Sequence, residues 1–239
     1  MKVSFVIPAH NEEKYIGECI ESIFETRKGF EDATEVIVID NASSDNTKKV
    51  SGKYPGVRVI PEPIKGLTRA RQRGLIEATG DLIAYIDADS RVPAHWLHIA
   101  LKEFSLRPNM VCLSGPFRYH DLQWFDKTIA ETCWYLFAPI TYRLIGYMIL
   151  GANFIAKKEA IEKIGGFDTG IDFYGEDTNI ARRLSKIGKV VFKMKFFIYG
   201  SGRRLRDHGI LRSFIKYGLN FIWEVLFHKP FTRKYKDIR

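Results

Sequence analysis

The chain has little with which to staple itself covalently. Three cysteines in 239 residues, Cys19, Cys112 and Cys133, lie far apart and form no C-x-x-C pair. Neither a disulfide framework nor a zinc site is indicated, and a reducing compartment fits. Long uncharged apolar runs are also missing. Glu131, Arg143 and Lys157 divide the apolar, aromatic stretch that begins near residue 121, and Arg212, Lys216 and Glu224 interrupt Ile210 to Phe227. No uncharged run there reaches the roughly 20 residues that span a bilayer. The apolar start, VSFVIPA, breaks at once into HNEEKY, too short for a signal peptide. No G-x-G-x-x-G follows a strand-like run, which counts against a dinucleotide-binding oxidoreductase. Internal repeats, low-complexity segments and Ser/Gly/Pro-rich linkers are absent as well.

Hydrophobic residues make up 46% of the chain, enough for one large domain, or one domain with an appendage. The net charge of +9 is unevenly spread. From Arg182 to Arg239 there are 16 Lys/Arg against the three acids Asp207, Glu224 and Asp237. That end therefore carries about +13, and the preceding residues about −4. Such a tail suits nucleic acid, an anionic membrane or a phosphorylated substrate, or is a solvated basic surface. No nucleic-acid recognition motif accompanies it.

Apolar runs rich in β-branched residues alternate with amphipathic segments. Strands are predicted at 3–9, 34–40, 57–62 and 81–89, and helices at 12–25, 43–54 and 67–79. Strands apolar throughout, joined by helices, imply a mostly parallel sheet covered on both faces. Beyond residue 90 the pattern predicts helices at 93–104, 175–188 and 210–227. It predicts strands at 110–119 and 189–200, and a strand, helix and glycine stop over 151–168.

In parallel sheets ligands bind beyond the carboxyl ends of the strands. Here those ends read PAHNEE, DNASSD, PEPIKG and DADS, richer in carboxylates and amides than turns require. Along an extended chain Asp87 and Asp89 face the same way, and their repulsion calls for a cation between them. Mg²⁺ takes one or two carboxylates and completes its shell with water and phosphate oxygens. The plainer account is a helix N-cap. Asp40 is a ligand group or an Asx-turn. Glu12 and Glu13 also suit the positive start of a helix, as do Glu176 and Asp177 after Gly175. A carboxylate at 176 or 177 alternatively serves as a general base. Arg69 and Arg73 share a solvated face, while Arg71 points elsewhere, where an Arg near the sheet edge binds a diphosphate.

Taken in order, PAHNEE, VIDNASSDNT, GLTRARQRG, DADS, GAN, GGFD and GED resemble glycosyltransferase family 2 over residues 3 to 190. The resemblance implies an α/β GT-A fold, a Rossmann-like, mostly parallel sheet flanked by helices, over residues 1–200. It implies a nucleotide-diphosphate sugar donor, UDP by preference, and inversion at the anomeric carbon. Ala9, Glu12 and Asp40 match positions lining the nucleoside pocket, and Arg71 a basic position near the nucleotide. Asp87 and Asp89 match the D-x-D motif, the second holding Mn²⁺ or Mg²⁺ and the first lying toward the ribose. Asp177 matches the usual base, with Glu176 in reserve. Gln72 stands where the family often has Asn. The Q-x-x-R-W motif of processive synthases is missing, so addition of a single sugar is expected.

Residues 201–239 form a basic segment in which 210–227 is an amphipathic helix, lying in a membrane interface or packed on the domain. Arg203 and Arg204 are candidates for binding a donor diphosphate or a lipid phosphate, or belong to a surface patch. The expectation is a cytoplasmic-facing, peripheral enzyme with a lipid-linked or otherwise membrane-proximal hydroxyl acceptor. A nucleotidyltransferase would carry a Gly-rich basic loop after the first strand, where PAHNEE has no glycine. A non-catalytic sugar-nucleotide-binding protein remains the other alternative.

Overall fold

The computed structural model describes residues 1–171, 174–229 and 231–232. The first half runs β1 (Val3–Ala9), α1 (Ile16–Thr26), β2 (Thr34–Asn41), α2 (Thr47–Ser51), β3 (Val57–Glu62), α3 (Leu67–Glu77), β4 (Leu82–Ile86), α4 (Trp96–Leu106) and β5 (Met110–Ser114). The second runs β6 (Phe117–Tyr119), α5 (Trp124–Ile145), β7 (Asn153–Lys157), α6 (Lys158–Lys163), α7 (Glu176–Ser185), β8 (Lys189–Phe192), β9 (Ile198–Gly200), α8 (Arg203–His208) and α9 (Ile210–Phe227). Seven strands form one sheet in the order β3-β2-β1-β4-β7-β5-β8, antiparallel only where β7 inserts between β4 and β5. A small parallel pair, β6 and β9, stands beside it.

Alternation along the strands builds two cores. Phe5, Ile7, Ala84 and Ile86 face a layer with Ile16, Ile20 and Trp96 from α1 and α4. Val6, Ile83 and Tyr85 face the other, with Leu75, Phe167 and Ile180. Burial on both faces is why these strands are apolar throughout. Gly74 lies inside α3, where glycine normally costs about 1 kcal/mol relative to alanine. Its reason is contact: a Cβ there would meet Val6 Cγ1 at 2.2 Å.

Several predicted elements are shorter or broken. The segment 110–119 divides at Gly115-Pro116 into β5 and β6, and 189–200 divides into β8 and β9. A Cβ on Gly115 would sit 1.8 Å from the Phe196 carbonyl oxygen, so two backbones cross at the break. The helix expected over 43–54 is only α2, because Asp45 and Asn46 are used by the loop before it. The helix expected from residue 12 starts at Ile16, after Asn11 takes a left-handed φ of 52°. The tail expected over 201–239 supplies α8 and α9; residues 230 and 233–239 of it lie outside the described residues.

At the end of the sheet remote from these loops, Glu35 gathers β1, β2 and the approach to β4. Its Oε1 accepts hydrogen bonds from Ser4 Oγ at 2.6 Å and from the Thr79 amide and hydroxyl, both at 2.7 Å. Arg58 Nη1 donates to Oε2 at 3.1 Å. Burial alone would raise this carboxyl, but Ser4, Thr79 and Arg58 together pull it down to about 2. A depressed carboxylate contributes stability that is complete above its unfolded value and is lost as pH falls. The melting temperature is therefore expected to drop between about pH 4.5 and about pH 2, and Glu35→Gln to flatten that part of the curve. Thermal melts of both proteins across that range check it.

Candidate functional site

Two loops at the carboxyl edge of the sheet interlock before any chemistry is possible. The Asn11 amide donates to Ser43 Oγ at 3.1 Å and its Oδ1 accepts from the Ser44 amide at 2.9 Å. The Glu13 amide donates to Asp45 Oδ2, and Glu13 Oε2 in turn accepts from Asn46. The Glu12 amide donates to Thr47 Oγ1 at 2.7 Å. Much of the polar excess in PAHNEE and DNASSDNT thus does turn and loop work. Ala9 and Asp40 are partners in the β1–β2 register, both buried, at the lip of the two strands. Asp40 Oδ1 is buried without a hydrogen-bond partner among the described residues.

The D-x-D pair departs from the extended geometry expected of it. Strand β4 ends at Ile86, and residues 87–90 form a turn closed by the Ser90 amide on the Asp87 carbonyl at 3.0 Å. The Cys19 thiol also points at that carbonyl, 3.6 Å away. Asp87 and Asp89 are consequently aimed by a turn rather than by strand alternation, and they meet different cations.

Asp87 meets Arg71. This guanidinium is 1% exposed and donates through Nη1 to Asp177 Oδ1 at 3.0 Å and through Nη2 to Asp87 Oδ1 at 3.5 Å. Glu176 Oε1 lies 3.8 Å from Nη1. The two Nη atoms of Arg71 are directed at three carboxylates, because α3 packs flat on the sheet and turns residue 71 inward, while its Nε is buried without a hydrogen-bond partner among the described residues. Asp177 is held from a second side by the Gly151 amide, which donates to Oδ2 at 2.7 Å. Gly151 has no room for a side chain: a Cβ would fall 2.2 Å from Asp177 Oδ1 and 2.4 Å from Arg71 Nη2.

Burial lowers the tendency of Arg71 to stay charged, and Asp177, Asp87 and Glu176 reverse that, leaving its pKa raised. Burial, then the neighbouring Asp177, raises Glu176 well above the usual glutamate range. Burial also raises Asp177, while Arg71 and the Gly151 amide pull it back. Glu176 is enclosed, whereas the Asp177 side chain keeps 29% of its surface open.

Asp89 meets Arg203, which arrives from α8 near the far end of the chain. Its Nη2 is 3.0 Å from Asp89 Oδ2 and 2.5 Å from Glu12 Oε1, and its Nη1 donates to Glu12 Oε2 at 3.1 Å. The guanidinium also lies over the Tyr15 ring, 5.3 Å from its centre. Arg204 bonds the Tyr217 phenol and lies within electrostatic reach of Glu176. The structure therefore brings Ala9, Glu12, Asp40, Arg71, Asp87, Asp89, Glu176, Asp177, Arg203 and Arg204 to one end of the sheet. Among the described residues no three His, Cys, Asp or Glu side chains form a ready-made metal cage. The oxygen donors of Asp87 and Asp89 fit the one-or-two-carboxylate mode of Mg²⁺ or Mn²⁺, which needs no such cage.

Three features escape sequence reading. Gly151 contributes an amide, which has no signature beyond GAN itself. Asn153 of the same motif is a hub: its Oδ1 accepts from Trp96 Nε1 at 2.9 Å, and its Nδ2 donates to the Gly115 and Phe196 carbonyls at 3.1 and 2.8 Å. Gln72, out of pattern for the family, accepts from the Phe167 amide at 2.9 Å and ties α3 to GGFD. Phe173, which opens the FYGED stretch, lies outside the described residues.

Comparison with known proteins places this geometry. The profile of Glycosyl transferase family 2 matches residues 4–165. The Probable glycosyltransferase YdaM of Bacillus subtilis is 27% identical over 223 residues, 82% of this chain and 49% of that protein. The chain thus spans about half the length of that curated relative. Two solved structures share the fold. The mannosyltransferase PcManGT from Pyrobaculum calidifontis, in complex with GDP-Man and Mn²⁺, superposes with a TM-score of 0.67 at 22% identity, over 90% of this chain and 63% of that one. Glucosyl-3-phosphoglycerate synthase from Mycobacterium tuberculosis, with Mn²⁺, UDP and phosphoglyceric acid, gives 0.65 at 19%, over 94% and 77%. With more than half of its length matched by the profile, and its sheet in the GT-A arrangement, the chain belongs to glycosyl transferase family 2.

Proposed function

We propose that this chain transfers one sugar, with inversion, from a nucleotide-diphosphate sugar to the hydroxyl of a membrane-proximal acceptor, a lipid-linked saccharide or lipid phosphate. The observation that carries the reading is the Arg71 guanidinium, which holds Asp87 on the donor side and Asp177 on the acceptor side at 3.5 and 3.0 Å. A single displacement needs a stabilised leaving group on one side and a base on the other, close together.

Ala9, Glu12 and Asp40 line the nucleoside end. The unpartnered, buried Asp40 Oδ1 calls for an N–H donor, which the imide of uracil supplies, in keeping with UDP. Asp89, with Asp87, would hold Mn²⁺ or Mg²⁺, and that ion, when bound, supplies positive charge for the leaving diphosphate. Arg203 and Arg204 add cations from α8, Arg203 by exchanging its carboxylate partners for phosphate oxygens. Mn²⁺ accompanies the nucleotide in both solved relatives.

Asp177 is the base. It takes the acceptor proton as the acceptor oxygen attacks the anomeric carbon, and the bond to the diphosphate breaks on the opposite side with its electron pair. No covalent intermediate is required. Burial raises both carboxyls, but Glu176 is enclosed while Asp177 keeps part of its surface open, so Asp177 is the one an acceptor hydroxyl can reach. The Gly151 amide fixes the Asp177 carboxylate so that one oxygen stays oriented.

Asp177→Asn is expected to lower the transfer rate by about 10²–10⁴-fold while preserving the thermal shift produced by UDP-sugar with Mn²⁺. Undiminished transfer by this variant would remove Asp177 as the base. Because burial raises Asp177, the acid limb of the wild-type rate profile should lie above the ordinary aspartate range, with activity rising as pH rises. Arg71→Met leaves the buried Glu176 and the partly exposed Asp87 and Asp177 without their counter-ion, for an expected loss of about 2–3 kcal/mol, below the full cost of a buried unpaired charge because water screens the two aspartates. That loss should be larger at high pH, where the acids must ionise, than at low pH, where protons replace the guanidinium. Urea unfolding at both ends of the range checks the sign.

A further inference from the structure

Helix α9 is built inside out. Among its described side chains the fully buried ones are polar, Ser213, Asn220 and Glu224, the last completely enclosed, with Ile210 and Phe214 packed inward at its start. Glu224 Oε1 accepts from Asn179 Nδ2 at 3.2 Å and faces Arg182 Nη2 at 3.5 Å, so α9 is docked on α7 by an amide and an ion pair. Four of its aliphatic residues point the other way. Ile215, Leu219, Ile222 and Leu226 recur at i, i+4, i+7 and i+11, one helical face, and are 43–63% exposed.

Helix α5 also turns aliphatic side chains outward. Of its 22 residues only Ala130 and Ala138 are fully buried. Leu136, Phe137, Ile140 and Leu144 form one outward stripe with exposures of 57–82%. The two helices touch at Trp134 and Phe214, whose ring centres are 6.4 Å apart. Isolated exposed aliphatics need no explanation, but aligned stripes on neighbouring helices signal a partner surface.

Charge identifies the partner. The only acid of α9, Glu224, is buried, while Arg212 and Lys229 beside the stripe and Arg143 at the end of α5 are exposed. The segment from Arg182 onward carries about +13. A second copy docking symmetrically would set this basic face against itself. An anionic lipid surface attracts it and receives the aliphatic stripes below its headgroups. No helix among the described residues is long and apolar enough to cross a membrane, so the contact is one of lying on the surface.

We infer that the outer faces of α5 and α9 form the seat on which this protein lies on an anionic bilayer. The seat gives a physical basis for the membrane-proximal acceptor proposed above, yet it needs no catalytic step. The test is co-sedimentation of the full chain, without donor, with vesicles of phosphatidylcholine alone or with about 30 mol% phosphatidylglycerol, at about 50 mM salt. The wild type should sediment with the anionic vesicles. Leu136→Ser/Ile140→Ser and Ile222→Ser/Leu226→Ser should each weaken that binding about tenfold with unchanged urea midpoints. Arg212→Gln should weaken binding to anionic vesicles alone. A wild type that stays in the supernatant overturns the inference, as do stripe variants that bind like wild type. So does a wild-type dimer, seen by sedimentation equilibrium, that the same substitutions convert to monomer. None of these outcomes bears on the Asp177 test, so the two readings fail separately.

Discussion

The site depends on one buried guanidinium shared by carboxylates from different elements. Arg71 comes from α3, Asp87 from the turn after β4, and Glu176 and Asp177 from the start of α7. Left alone, these acids would repel and take up protons, and the turn and the helix would have no electrostatic reason to approach. With Arg71 among them the charges attract, in surroundings dry enough for the attraction to matter. The glycine at 151 follows from the same constraint, since its amide completes Asp177 and a side chain there would collide with both ions. Helix α3 can deliver Arg71 only by lying close on the sheet, which in turn requires the small residue at 74 against Val6.

A second shared guanidinium closes the other side. Arg203 links Glu12, after β1, to Asp89, after β4, although it lies beyond the last strand. The segment from residue 201 therefore adds a cation to the site through α8, and through α9 it presents an aliphatic stripe to the outside. The two roles are mechanically joined. Contacts between α8 and α9, and the Glu224–Arg182 pair that anchors α9 to α7, place the outward stripe on the same scaffold that carries Asp177.

The first ninety residues were the most legible. Apolar runs at 3–9, 34–40 and 57–62 are strands with nearly the expected bounds; burial on both faces leaves little latitude in residue type in the first two, and the third, half-exposed at the sheet edge, keeps its alternating β-branched residues. The Asp pair at 87 and 89 was legible as chemistry but not as geometry: period-two alternation fails where a strand ends in a turn. Interruptions of 110–119 and 189–200 were hidden because residues on both sides of each break are equally apolar. Helix α9 read as amphipathic without disclosing which side faces the domain, since an ordinary amphipathic helix buries its aliphatic side and this one buries Glu224.

The order of strand-end carboxylates, the basic final segment and the family resemblance were settled by the sequence alone, because each depends on residue type and spacing along the chain. Which cation meets which carboxylate was not. Arg71 and Asp177 are 106 residues apart, and Arg203 and Glu12 are 191 apart. Only the folded chain sets the distances between them, and the energy of a charge pair depends on distance and burial, not on place in the sequence. For the same reason the outward direction of the α5 and α9 stripes was decided by tertiary packing: a helix presents every face, and its neighbours determine which one remains uncovered.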